Sequence, residues 1–307
     1  MITAIGTTAA LLVAGLVPGT ATAAGPNPGT PRAAVAAICG FGLGTVTLGG
    51  DHTEQAITTT VPPTAGSSAI VGKGVYPPAQ VKASSSMVGL ADDSVGVVVT
   101  GYALIGDGLY LTAYDSLDGT VNGDPSQMIG GGWGSFVAVE QSQYQGPGES
   151  GVSRANTYGL RNDGTLFRWT VGSHGVWGSK ASAPGFAAVK SMALISQTKT
   201  YDTFLANARG GALYTIHIPT SGPMKPVVKI VRRSTWQGFE AMVAAQCGQY
   251  GTVLLGIDKD TDTGYLYAVG HTTGATTVIQ SLGKAPTTFG NEVHFRWMDP
   301  SYHLNGE

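Results

Sequence analysis

IGGGWGSFVAV, at residues 129–139, decides the fold prediction because its phenylalanine recurs along the chain. Phe136, Phe186, Phe239 and Phe289 follow one another at intervals of 50 to 53 residues, in the settings GSFVAV, PGFAAV, QGFEAM and TTFGNEV. Self-similarity at a fixed interval is typical of repeat architectures. The sequence therefore predicts a chain built from structural repeats.

A second marker alternates with the first, namely a glycine followed shortly by leucine and an aromatic residue. It occurs as GDGLYLTAY around Leu109, NDGTLFRW around Leu166, GGALYTI around Leu213 and TGYLYAV around Leu266. Glycine and asparagine tolerate positive φ, so the Gly-Asp-Gly, Asn-Asp-Gly and Gly-Gly turns in these stretches favour hairpins. Two markers that interleave indicate a repeat of short antiparallel strands.

Five units of about 50 residues each contain four short strand candidates. Their approximate limits are 33–83, 84–130, 131–182, 183–235 and 236–285. Four strands in each repeat predict an all-β chain, a β-propeller of five blades. The tail, 286–307, begins like a sixth unit, and we expect it to supply a strand to the N-terminal blade and close the ring; a six-bladed ring is the alternative.

The composition agrees with short strands joined by tight turns. Charged residues make up 12% of the 307 residues, about half of the usual ~25%, and 46 residues are glycine. With a net charge of −2 and no long basic run, the chain is not expected to bind nucleic acid. The basic stretch KPVVKIVRR, residues 225–233, fits an outer strand with a solvated face.

Residues 1–23 combine a short apolar run with the small-residue end Ala-Thr-Ala, as a secretory signal peptide does. The basic segment that usually precedes the apolar run is missing, so either Met1 is not the native start or the signal is unusual. The apolar run is too short to span a membrane comfortably. We predict export to the extracellular medium without membrane insertion, a flexible segment at 24–32, and a single propeller domain at 33–307.

Cys39 and Cys247 are the two cysteines, and in an exported protein they suggest one disulfide. The surrounding stretches VAAICGFGLGTVTLGGD and VAAQCGQYGTVLLGID align with one another, which predicts matching places in the first and fifth repeats. Because those repeats are neighbours in a five-membered ring, a bridge would lock the ring and contribute ~4 kcal/mol or more. The alternative is two small buried hydrophobic residues.

GGGW at 130–133 and TGYLYAV at 263–269 resemble the tachylectin type of β-propeller lectin, in which a GGW-x-x-F stretch opens each blade. The resemblance covers about residues 33–298, although the full motif occurs only at Trp133. It implies a lectin without catalytic activity that binds N-acetylated amino sugars between blades. A looser resemblance, to the propeller lectin subunits of secreted actinobacterial umbrella toxin particles, implies partner subunits and a role in targeting cell-surface glycans.

Sugar binding needs an aromatic face for the C–H side of the ring and polar groups for its hydroxyls. Trp169 and Trp297 lie within strand-like sequence and are assigned to the core. The predicted ligand-binding residues are three tryptophans near the repeat boundaries and three polar residues in nearby turns, Trp133, Trp177, Trp236, Asp107, Asn162 and Asp163. The alternative for each tryptophan is a wedge between blades.

Asp258, Asp260 and Asp262 place three carboxylates on alternate residues of a predicted hairpin loop. Oxygen ligands at positions 1, 3 and 5 are those of a calcium loop. The glycine stands one place too late and no glutamate follows at position 12, so a solvated acidic turn is the alternative to calcium as a cofactor.

An enzyme acting on extracellular polysaccharide, with a carboxylate pair near the ring axis, is the alternative function. A scaffold that only docks another secreted protein is a third. The stretches VAAICG and GESG resemble serine-protease motifs, but Ile38 stands where the general base would be needed. We therefore expect a carbohydrate-binding protein without a catalytic site.

Overall fold

The many glycines and β-branched residues, threonine among them, produce a structure made almost entirely of strands. The computed structural model describes residues 39–148, 151–172, 175–298 and 303–307, and a short 3-10 helix, Gly274–Thr276, accompanies the strands. The predicted signal peptide at 1–23 and flexible segment at 24–32 lie outside these residues. Within the described ranges, no helix is long and apolar enough to cross a membrane.

The first half of the described chain forms ten strands that belong to one sheet. These are β1 Gly40–Val46, β2 His52–Thr58, β3 Thr64–Ala65, β4 Ala69–Gly72, β5 Val81–Ser84, β6 Met87–Asp92, β7 Gly96–Ile105, β8 Gly108–Leu117, β9 Thr120–Asn122 and β10 Ser126–Gly131. The sheet has eleven strands because a strand from the C-terminal region joins it.

The second half forms three separate sheets of four consecutive antiparallel strands. The first sheet holds β11 Phe136–Tyr144, β12 Arg154–Arg161, β13 Leu166–Val171 and β14 Trp177–Ala183. The second holds β15 Val189–Gln197, β16 Tyr201–Ala208, β17 Leu213–Pro219 and β18 Val227–Arg232. The third holds β19 Ala241–Cys247, β20 Gly251–Asp258, β21 Thr263–Val269 and β22 Ile279–Lys284. The predicted third, fourth and fifth units are confirmed as four-stranded sheets.

The predicted contribution of the tail to the N-terminal unit is also confirmed. β23, Val293–Met298, pairs antiparallel with β1, and the register places Leu43 opposite Arg296. β23 also pairs in parallel with β6 over two residues, which joins the strands of the first and second units into the eleven-stranded sheet. β23 thus supplies the first strand of the N-terminal unit, ahead of β1.

The innermost strands form a closed cycle of contacts. β5 contacts β11, β11 contacts β15, β15 contacts β19, β19 contacts β23, and β23 contacts β5. Each of the three four-stranded sheets begins with one of these strands and runs outward through consecutive hairpins. This radial repetition of short antiparallel sheets is typical of a β-propeller.

The recurring phenylalanines are buried, and three of them lie on strand glycines. The ring of Phe136 would lie 2.8 Å from a Cβ built on Gly159, and the ring of Phe239 2.7 Å from one on Gly256. Phe289 lies in the same way against Gly264, where the distance would be 2.5 Å. A side chain at any of these glycines would displace the ring.

Cys39 and Cys247 form the predicted disulfide, with 5.5 Å between their Cα atoms. Cys39 directly precedes β1, the second strand counted outward from β23, and Cys247 ends β19 just before β20, the second strand of its sheet, so the two cysteines occupy similar places, as predicted. Neighbouring strands of a propeller run antiparallel, so the start of a second strand lies at the same end of the molecule as the end of a first strand. The bridge therefore joins the strands at the closure of the ring.

His52 is fully buried, so its protonated form is strongly disfavoured in the folded protein. Its Nδ1 is 2.8 Å from the hydroxyl of Tyr114, and the rings of Tyr76, Phe295 and Trp297 surround it. Burial lowers the pKa of His52 to about 3 from an ordinary value of 6.5. The imidazole therefore stays neutral in the folded protein over a pH range in which it is protonated in the unfolded chain.

Acidification is expected to destabilise the fold between pH 6.5 and pH 3. In that window the unfolded chain binds a proton at His52 that the native state does not, so stability falls as the pH falls. This one residue should cost about 2 to 3 kcal/mol between pH 7 and pH 4.5. Urea unfolding across this range measures the effect.

Two histidine substitutions, one at His52 and one at an exposed control position, test whether His52 causes this pH dependence. His52→Gln should be less stable than the natural protein at pH 7 and should show a shallower loss on acidification. His271→Gln changes an exposed histidine and should leave the pH dependence unaltered. An unchanged slope in His52→Gln would contradict the assignment.

Candidate functional site

A groove lined by aromatic residues runs between β10 and the sheet β11–β14. Its volume is about 340 Å³. We call it the tryptophan groove and define it by its lining residues, Leu109, Ile129, Gly130, Gly131, Gly132, Trp133, Phe136, Trp169, Trp177 and Lys180. The stretch that decided the fold prediction thus supplies six of the lining residues.

Asp107, in the turn between β7 and β8, shapes one wall of this groove. Its carboxylate accepts hydrogen bonds from the backbone N–H groups of Gly132 (3.2 Å) and Gly134 (2.6 Å), and its carbonyl oxygen accepts one from the N–H of Trp133 (2.9 Å). Gly132 has a φ of +82°, a conformation that glycine adopts without strain. Asp107 therefore holds the GGGWG loop in place, whereas the sequence suggested a direct ligand contact.

Trp133 forms the floor of the tryptophan groove, with only 7% of its surface exposed. Its ring lies 4.3 Å from that of Phe136 and 4.9 Å from that of Trp169, measured between centroids. Such close packing on two sides leaves little of the indole for a ligand. Trp133 thus supports the aromatic rings above it.

Trp169 and Trp177 are half-buried and present the accessible aromatic surface of the groove. Their rings are 5.5 Å apart and inclined at 55°. Trp169, which the sequence assigned to the core, lies on the same side of β13 as the buried Phe167; it packs against the buried cluster that contains Trp133 and also lines the groove. The alternation of side chains along LFRWTV was the signal that could have shown this.

Lys180, which the sequence did not single out, is the charged residue among those lining the tryptophan groove. It lies opposite Trp169 in the register of β13 and β14. Its Nζ stands 4.6 Å from the ring centroid of Phe167 and 5.7 Å from that of Trp169. Both distances are within the range of a cation–π interaction, which places the ammonium group over the aromatic surface.

Trp236 lies outside the groove. It is 5% exposed and packs against Phe239 and Tyr267, and its carbonyl oxygen accepts a hydrogen bond from the Asn207 side chain (2.8 Å). These contacts match the alternative role considered for each tryptophan, a wedge between neighbouring blades. Trp297, assigned to the core with Trp169, is half-buried and donates from its Nε1 to the carbonyl of Thr53 (3.0 Å).

Asn162 and Asp163 also lie outside the tryptophan groove, in the turn between β12 and β13. The Asn162 N–H donates to the carbonyl of Ser135 (2.8 Å). The Asp163 carboxylate accepts the N–H of Thr165 (2.9 Å) and pairs with Arg161, and these contacts lower the pKa of Asp163. Asp163 therefore stabilises its own hairpin, whereas Asn162 links the turn to the residue that precedes β11.

The carboxylates proposed as calcium ligands do not converge in the described residues. Asp258 accepts backbone hydrogen bonds from Asp260 (3.0 Å) and Thr261 (3.2 Å), which forms a side-chain-capped turn. No group of three His, Cys, Asp or Glu side chains arranged to hold a metal occurs in the described ranges. Calcium binding stays a prediction, and melting curves with calcium and with a chelator would test it.

Three glutamates line a cavity of about 150 Å³ near the ring axis, where a polysaccharide-cleaving enzyme would need its carboxylate pair. Glu140 accepts hydrogen bonds from Ser86 and from the N–H of Gln141. The other two pair with lysines, Glu240 with Lys190 and Glu292 with Lys259. Each carboxylate is thus held by neighbouring groups, and the structure marks none of them as a general acid or base.

Comparisons with known proteins identify no family model and no curated protein that matches this sequence. Among solved structures, the BP39L lectin from Burkholderia pseudomallei is similar over 81% of this chain and 70% of its own, at 16% identity and a TM-score of 0.45. The fucose-specific lectin from Aleuria aurantia is similar over 80% and 78%, at 10% identity and a TM-score of 0.43. The apocarotenoid oxygenase from Synechocystis is similar over 80% and 66%, at 11% identity and a TM-score of 0.36.

Proposed function

We propose that this protein is a secreted, five-bladed β-propeller lectin that binds a saccharide in the tryptophan groove without catalysing a reaction. The observation that carries the proposal is the pair of half-exposed indole rings of Trp169 and Trp177 beside a glycine-rich strand. Trp133 supports these rings from below rather than binding the ligand itself.

The chemistry of the groove fits a sugar ring. Exposed indole faces suit the C–H side of a pyranose, since burying it removes apolar surface from water. Among the described strands, β10 pairs with β8 alone and lies at the end of its sheet. The N–H and C=O groups along its other edge are therefore free to form hydrogen bonds with the hydroxyl groups of a sugar. The volume of about 340 Å³ falls within the range of ~300–1,000 Å³ for small-molecule sites.

The count of five blades is supported by the cycle of five innermost strands, each of which leads one radial set of strands. In this arrangement β23 leads the N-terminal blade, and β5 and β6 together lead the second. Secretion is supported by the apolar N-terminus and by the disulfide, which persists in oxidising compartments.

The sugar and the partners belong to the same proposal. N-acetylated amino sugars or other cell-surface glycans are the candidate ligands, and subunits of a secreted antibacterial toxin complex are the candidate protein partners. Purification of the protein from its native culture medium tests the second part. Recovery of the protein alone, without any associated chain, would argue against a role as a subunit.

Replacement of Trp169 by alanine is expected to weaken glycan binding about tenfold, because the sugar loses one aromatic face. A glycan array on the protein identifies a ligand, and isothermal titration then measures its Kd for each variant. Trp177→Ala should weaken binding to a similar extent.

Tyr250→Ala provides the matched control, since Tyr250 is 55% exposed and lies outside the tryptophan groove. This variant should bind as the natural protein does. The proposal fails if no glycan or bacterial envelope polymer binds, or if Trp169→Ala and Trp177→Ala leave the Kd of a bound glycan unchanged while both variants remain folded.

A further inference from the structure

The charge of the tryptophan groove is unbalanced. Its lining consists of glycines, aliphatic and aromatic residues, together with one cationic side chain, Lys180. In the described ranges, no carboxylate lies within ion-pairing distance of the Lys180 Nζ. The groove therefore presents an unneutralised ammonium group beside an apolar surface.

The charged side chains near Lys180 already pair with other groups. Arg161, whose guanidinium also lies over Phe167, forms an ion pair with Asp163. The carboxylate of Asp107, which does not itself line the groove, accepts hydrogen bonds from the N–H groups of Gly132 and Gly134. These contacts leave Lys180 as the cation that a bound molecule meets in the groove.

The position of the Lys180 ammonium is defined by the rings beneath it. Phe167 and Trp169 are stacked at 20°, and the Nζ stands over both. Interaction with these rings holds the ammonium near the aromatic surface without neutralising its charge. Because the Nζ is nearer to the centroid of Phe167 (4.6 Å) than to that of Trp169 (5.7 Å), a ligand stacked on Trp169 would have the cation at its edge.

We propose that the tryptophan groove selects an acidic saccharide, with the sugar ring on Trp169 and Trp177 and a carboxylate of the sugar paired with Lys180. This inference rests on the proposed function and names the chemical class of its ligand. A carboxylate supplies the negative charge that the protein does not provide, and it accepts hydrogen bonds from an ammonium group, which has three donors and no acceptor. Lys180 is then the residue that determines specificity.

The test compares sugars with a charged carboxylate and the same sugars with that charge removed by a methyl ester. Oligogalacturonate and hyaluronan oligosaccharides serve as acidic probes, and their methyl esters serve as neutral counterparts. At low ionic strength, each acid that binds is expected to do so about fivefold more tightly than its ester. The preference should shrink as salt is added, because the ammonium is exposed.

Lys180→Gln should abolish the preference for the acid, so that this variant binds the acid and its ester with the same affinity. Lys199→Gln, at an exposed lysine outside the groove, is the matched control and should retain the preference. Neutral glycans from the array are measured in parallel with the same variants.

The outcomes separate this inference from the proposed function. If neutral glycans bind in a Trp169-dependent manner but acids gain nothing over their esters, the acidic specificity is overturned and the lectin function stands. The same holds if Lys180→Gln keeps the preference. If neither probe nor any glycan binds, both proposals fail.

Discussion

Replacement of Asp202 by asparagine is expected to lower the free energy of unfolding by about 3 to 5 kcal/mol. Asp202 is fully buried in β16, and Arg154 of the preceding sheet binds both its carboxylate oxygens, at 2.7 and 2.8 Å. Removing one charge of a buried pair leaves the other uncompensated in a medium of low dielectric constant. Arg154 would then keep its charge beside a neutral amide.

Other donors from the same neighbouring sheet converge on this carboxylate. The hydroxyl of Tyr158 (2.6 Å), the amide of Asn156 (3.1 Å) and the hydroxyl of Ser142 (2.5 Å) all donate to Asp202. Burial, together with the charge of Asp202, raises the pKa of Tyr158 well above its ordinary value, so the phenol remains a donor. Asp202 therefore fastens β11 and β12 to β16.

Urea unfolding of three variants measures this effect. Asp93→Asn changes an exposed aspartate and should be neutral, which controls for the loss of a negative charge. The double variant Asp202→Asn with Arg154→Met removes the stranded cation and should be more stable than Asp202→Asn alone. A double variant that is no more stable than Asp202→Asn alone would contradict this account.

Removal of the disulfide is expected to cost about 5 kcal/mol in the chain-entropy model. The bridge closes a loop with a sequence separation of 208, so its loss greatly enlarges the conformational freedom of the unfolded chain. The pairing of β1 with β23 remains in the variant Cys39→Ser/Cys247→Ser. We therefore expect a folded but less stable protein.

Urea unfolding with and without a thiol reductant distinguishes this effect from a change in packing. The natural protein should lose stability on reduction and approach the variant, whereas the variant should be unaffected by the reductant. Equal stability of the oxidised natural protein and the variant would show that the bridge adds nothing to the closure made by β23.

The repeat pattern predicted the fold in considerable detail. Each recurring phenylalanine comes before an innermost strand or at its start, and the spacing of glycine turns located the hairpins of the last three sheets. These features are local, because a turn residue or a strand period acts on its own few neighbours. The cysteine pairing and the return of the tail could also be inferred, since both follow from closing a ring.

The candidate site was predicted only in part. Trp133 and Trp177 do lie together, but the ring at Trp133 is covered, and the accessible faces belong to Trp177 and to Trp169. Lys180 gave no signal in the sequence, because a lysine on an outer strand is usually solvated. Its position over Phe167 and Trp169 arises from the register of β13 and β14.

By itself, the sequence determined the all-β class, the repeat length, the four-stranded sheets of the third to fifth units and the pairing of Cys39 with Cys247, whereas the first and second units share one eleven-stranded sheet. Only the tertiary structure decided which side of β13 lines a groove, how deeply Trp133 is covered, and which carboxylates already have partners. The physical reason is that strand period and turn chemistry act between residues close in the chain. Exposure and charge compensation depend instead on neighbouring sheets, as at Asp202, whose partners lie 44 to 60 residues away.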